Sequence, residues 1–169
     1  MKVWRLLLRV IVGALFVGHG TQKLFGWFGG RGLDATAEGF EQMGIRPGKP
    51  NAIAAGVGEA GGGALLAAGL VTPLAAASIT ATMLTAMDRV HLKNGPWVTS
   101  GGYEYNLVLI AAVLALVETG PGALSLDAAR GHERKGTVWA LVALAVGGIG
   151  AAAAKFAAAP APAPEPEGQ

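Results

Sequence analysis

The chain has 169 residues, 52% of them hydrophobic and only 14% charged, with a formal net charge of +2 and a mean hydropathy of +0.47. Soluble domains usually carry about 25% charged residues, so this composition points to lipid as the solvent, and the small positive charge, with no basic stripe, argues against nucleic acid as a partner. The absence of cysteine excludes disulfides, thiol redox chemistry, cysteine-ligated iron–sulfur clusters and thiolate zinc sites.

Five apolar segments follow in chain order, to be set against the roughly 20 apolar residues that a helical span requires. The first, Leu6–Phe25, is bracketed by Trp4 and Trp27, as an interfacial aromatic belt would have it. Lys2, Arg5 and Arg9 before its apolar stretch are like a secretion signal, but no small-x-small cleavage site follows, so it is read as a retained span. Residues 26–51 form the long connection, in which Leu33, Ala37, Phe40 and Met43 have helical spacing and predict a short interfacial helix. The second segment, Ala52–Leu70, is rich in glycine around Glu59, with Gly58 and Gly62 as a small-xxx-small pair. A tight turn leads to the third, Pro73–Val90, with Thr72 expected as its N-cap. Residues 91–102 form a loop, Tyr103–Val117 the fourth segment and Thr137–Ala154 the fifth. The Ala/Pro-rich end, 156–169, reads as a disordered tail. The expected organisation is all-α: a membrane bundle over 1–127, a connector and fifth helix over 128–155, then the tail.

If the spans alternate in direction, the end of the first, the start of the second, the end of the third and the start of the fourth share one side. Those places hold His19 and Lys23, then Glu59, then Asp88, Arg89 and His91, then Glu104 and Asn106. The opposite side holds Arg5, Arg9, Thr72 and the Glu118–Lys135 segment. Glu59 lies about 10 Å beyond the start of its segment at 1.5 Å per residue, and an ionisable group at bilayer depth is costly unless paired inside the bundle. His19 and Lys23, one turn apart, share a helix face. The expected feature is an intramembrane polar pocket with Glu59 at its centre and His19, Lys23, Arg89, His91, Glu104 and Asn106 around it.

Plainer readings stand beside this one. Lys23 and Arg89 lie near helix ends, where long basic side chains snorkel to headgroups. Glu59 is also suited to a structural ion pair with Lys23 or Arg89. Glu104 and Asn106 suit a helix start, where an acid complements the dipole, and His91 suits the interface. No histidine pair has metal-ligand spacing, so no metal is expected.

The chain resembles the DoxX family of small bacterial membrane proteins. The resemblance is carried by "RVIVGALFVGHGTQKLFGWFGG", "GVGEAGGGALLAAGLVTPLAA", "MDRVHLKNGPW" and "GGYEYNLVLIAAVLALVETGPGALSLD", together covering about residues 5–127. It implies a four-helix membrane bundle and an association with quinone-linked or detoxifying oxidoreductases. The positions matching its recurring polar pattern are Lys23, Glu59, His91, Glu104 and Asn106.

The functional expectation is a subunit of a quinone-linked oxidoreductase system in the plasma (inner) membrane, multi-pass, with no covalently bound cofactor and quinone as the ligand. Glu59 would be its proton carrier, and electrons would come from the substrate or a partner oxidoreductase subunit. The alternatives are a non-catalytic anchor or assembly partner and, weaker still, a small-solute transporter, for which no inverted repeat is visible. A homo-oligomer is compatible with either. Lys2, Arg5, Arg9, Arg130, Arg134 and Lys135 lie towards one side, and Lys23, Arg31, Arg46, Lys49, Arg89, Lys93 and Lys155 towards the other, so orientation leans only slightly to N-inside.

Overall fold

The computed structural model describes residues 2–156, and these contain seven α-helices and no strand. They are α1 (Lys2–Phe25), α2 (Gly32–Gln42), α3 (Gly48–Ala68), α4 (Thr72–Ala86), α5 (Glu104–Thr119), α6 (Leu126–Ala129) and α7 (Thr137–Phe156). The tail expected over 156–169 lies, from residue 157 on, outside the described residues.

The closest packing is that of α1 against α3, and glycine permits it. A β-carbon on Gly13 would lie 2.5 Å from the carbonyl oxygen of Gly63, and one on Gly20 2.5 Å from that of Gly56. Each partner pair is spaced two turns along its own helix, so the antiparallel backbones touch twice on the same face. Gly58 and Gly62, the pair conspicuous in the sequence, face α4 instead and seat Ser78, whose hydroxyl donates to the Gly58 carbonyl at 2.9 Å. α4 then packs on α5, and α7 lies along α4 and α5 with Gly147 pressed against Thr80. α1 and α5 scarcely meet.

The core between these helices joins large side chains, Leu66, Ile79, Val113, Leu116 and Val117, to small ones, Ala52, Ala75, Ala76 and Ala143, all enclosed, while many other large apolar side chains point outward. Trp4 is 74% exposed, Ile149 69%, Val108 61% and Ile11 55%. Apolar surface of this extent is of the kind that a membrane or a protein partner covers. Two helices, Val3–Phe25 and Thr137–Phe156, are long and apolar enough to cross a membrane. The short helix expected in the long connection is present as α2, which packs on α3 and α1.

Three local readings are corrected. α3 starts at Gly48 rather than Ala52, because Pro50 falls in a first turn that needs no proline N–H. α4 is not capped by Thr72; Val71 precedes the helix at φ 46°, and the Thr72 hydroxyl and N–H both donate to the Asp127 carboxylate. Beyond Ala86 the same helix continues as a π-helical turn, Met87–His91, so Asp88, Arg89 and His91 sit on a widened last turn.

Candidate functional site

The polar ends brought to one side by alternation do meet. Glu59 lies roughly 16 Å along α3 from Gly48 at 1.5 Å per residue, and its side chain is only 6% exposed. Lys23, from the last turns of α1, reaches it with an Nζ–Oε2 distance of 2.6 Å. The pair forms because Gly20–Gly56 contact brings the two backbones together just above it. A charge-assisted bond of this length in a nearly dry setting neutralises both groups.

A cavity of about 320 Å³ opens on the α5 side of this pair, in the gap left where α1 and α5 scarcely meet. His19, Lys23, Glu59, His91 and Asn106 all line it. Asn106 is buried on α5 and its amide points at the Met83 sulfur, 3.4 Å away. The His91 Nδ1 lies 2.7 Å from the Gly101 carbonyl, to which it donates its N–H. His19 is exposed, with its Nδ1 3.2 Å from the Gln22 amide oxygen. Phe16, Leu15, Val12 and Leu109 supply the apolar walls.

Two expected members stand elsewhere. Glu104 does not line this cavity: its carboxylate accepts the Val98 N–H at 2.6 Å and fastens the loop before α5. Arg89 faces the other way, into a second cavity towards α7, where it donates to the Lys155 carbonyl at 3.2 Å. Both departures follow from helix geometry. Residues two apart, such as Arg89 and His91, project to opposite faces of a helix, and an acid at a first turn is drawn to free N–H groups nearby.

The opposite end of the molecule holds a second polar centre that sequence reasoning treated as surface charge. Arg9 is 2% exposed. Its Nε donates to the Ala67 carbonyl at 3.1 Å, Nη1 to Pro121 at 2.7 Å and Nη2 to Leu124 at 2.5 Å. Asp127 accepts from the N–H groups of Val71 (2.8 Å) and Thr72 (3.0 Å) and from the Thr72 hydroxyl (2.8 Å). Arg9 is therefore no free juxtamembrane cation, and Arg5, which donates to the Thr119 carbonyl at 2.6 Å, is tied as well. The signal available in the sequence was the "GPGALSLD" stretch, whose compact turns and single acid suggest a structural plug.

Apolar outer faces, two helices long and apolar enough to cross a membrane, and a buried ion pair beside a polar-lined gap define a small all-helical protein. The DoxX family profile matches residues 4–92, just over half of the chain. The chain is also similar to a protein of Bacillus subtilis (strain 168) named "Putative oxidoreductase CatD", with 33% identity over 126 residues, covering 75% of this chain and 86% of the relative. The chain belongs to the DoxX family. No solved structure matches it.

Proposed function

We propose that this protein is the membrane-embedded subunit of a quinone-linked oxidoreductase system, with the α1–α5 cavity receiving the quinone headgroup. The observation that carries this reading is the Lys23–Glu59 pair, buried at the wall of a cavity that also presents His91 and Asn106. A quinone carbonyl needs hydrogen-bond donors in an otherwise apolar slot, and the Lys23 ammonium and the Asn106 amide are of that kind. Glu59, exchanging its proton with Lys23 across 2.6 Å, is the group suited to hold or release one at the ring. When bound, the quinone supplies the electron-accepting chemistry; electrons reach it from a partner oxidoreductase, in keeping with the oxidoreductase name of the B. subtilis relative. In this reading α1, α3, α4 and α5 form a four-helix membrane bundle extended by α7, in the plasma membrane, with the N-terminus inside and the cavity on the outer side. The test is a melting titration of the purified protein with a short-chain ubiquinone or menaquinone analogue. At about 100 times Kd the midpoint should rise by roughly 5–10 °C; no rise with either analogue overturns the proposal.

A second reading has its own observation. Lys23 and Glu59 already satisfy each other, as the two halves of a structural ion pair would, and the protein would then be an anchor or assembly partner. Topology bears on both. A reporter fused after Phe156 is expected in the compartment opposite to one inserted at Arg130, because α7 is read as crossing the membrane. The same compartment for both would leave α7 on the surface.

A further inference from the structure

A larger cavity, about 400 Å³, lies on the far side of the Lys23–Glu59 pair, enclosed by α2, α3, α4 and α7. It shares only Lys23, Glu59 and Ala86 with the first cavity. Its openness to a ligand is written in side-chain size. Ala54 and Gly58 on α3, Ala81 on α4, and Gly150 and Ala154 on α7 all present little or nothing to the space between them. Elsewhere the same helices press together closely, with Gly147 of α7 seated against the Thr80 side chain and the Ala77 carbonyl of α4, so this gap is specific and not loose packing.

The polar groups around it are mostly spent. Ser78, Thr82 and Thr85 donate their hydroxyl protons to the carbonyls of Gly58, Ser78 and Ala81, and Glu59 is neutralised by Lys23. Charge remains at one point. Arg89 lines the cavity with its Nε 3.6 Å from Asp88, and Asp88 is also held by the Lys155 Nζ at 2.8 Å. Among the described residues two cations thus share one carboxylate, and that end of the chamber is net positive.

We propose that this chamber binds a single-chain amphiphile with a carboxylate head, a free fatty acid in chemical class, with the carboxylate on Arg89 and the chain among the small residues. Small-molecule sites span about 300–1,000 Å³, so the volume suits one hydrocarbon chain and not a two-chain lipid. The guanidinium fork matches a carboxylate in geometry as well as charge. The site does not depend on the quinone reading, since it lies across the ion pair from that cavity.

The test uses the full chain in neutral detergent, with a fluorescent fatty acid displaced by oleate and, as the uncharged control, by oleyl alcohol. Oleate should displace at least about tenfold better than the alcohol, the margin of one charge-assisted contact. Arg89→Gln should abolish that advantage, and Thr85→Phe, which fills the chamber, should weaken both ligands. Equal displacement by oleate and oleyl alcohol in the native protein would mean that only ordinary lipid tails enter, and overturns the proposal without any variant. Full oleate binding in Thr85→Phe, or tighter binding of phosphatidylglycerol than of oleate, overturns it too.

Discussion

Lys23→Met should damage the protein more than Glu59→Gln, and the two together should damage it less than Lys23→Met alone. Glu59 is 6% exposed and Lys23 27%. Removing the ammonium strands a carboxylate whose ion-pair partner among the described residues is Lys23, a loss of about 3–5 kcal/mol for a buried pair broken on one side. Removing the carboxylate strands an ammonium on a flexible stem that borders two cavities and can swing towards water or headgroups. The double change leaves an amide beside a thioether, uncharged and close in volume to the original pair, and stability should return to near the native value. Melting in detergent measures all three. The quinone response separates the readings, because Glu59→Gln keeps shape while removing proton exchange. Loss of quinone-dependent activity with an otherwise normal melt supports the proton-carrier role; normal activity and normal melting together would make Glu59 a passenger.

Arg9→Met is expected to be among the most destabilising single changes in the chain. Its three carbonyl partners, on Ala67, Pro121 and Leu124, come from two separate segments, and methionine replaces the volume but none of the donors. Each buried carbonyl left unpaired costs about 1–3 kcal/mol, so the total should exceed about 3 kcal/mol. Arg9→Lys should recover little, since one ammonium cannot reproduce the planar fork that spans three acceptors. Arg5→Met, whose contacts are more exposed, should cost far less. Limited proteolysis between Gly120 and Ala129 reads the effect directly, because those turns are what Arg9 holds in place. An unchanged melt and unchanged cleavage in Arg9→Met would refute the assignment.

The contrast between the two ends shows what a sequence makes legible. Glu59 stands out because a carboxylate deep in an apolar run has few reasons to be there, and alternation of helix direction was enough to bring Lys23, His91 and Asn106 to it. Arg9 was illegible for the opposite reason. A cation near the start of an apolar run is the ordinary pattern of a snorkelling residue, and nothing local reveals that Pro121 and Leu124 come back to meet it. Spacing misled in a similar way at the glycines: Gly58 and Gly62 are a recognisable pair, yet the tight α1–α3 contact uses Gly56 and Gly63, whose partners Gly13 and Gly20 lie on another helix. Glu104 satisfied a neighbouring N–H before it could serve a cavity, which the sequence left as an alternative. Pairing between helices is a property of register, and register is not written in either helix alone.

The Asp127 contacts have a consequence for biosynthesis. The polar turn between α3 and α4 is closed by a side chain 55 and 56 positions later in the chain. At about 5–20 residues per second, the ribosome takes roughly 3–11 s to deliver it. During that interval the helical hairpin has been made but its Val71 and Thr72 amides have no acceptor from this source. The hairpin is thus a provisional structure, sealed retroactively by the segment after α5. Nascent chains halted short of residue 127 should therefore be marked for removal by membrane quality control even when four of their hydrophobic helices are already complete.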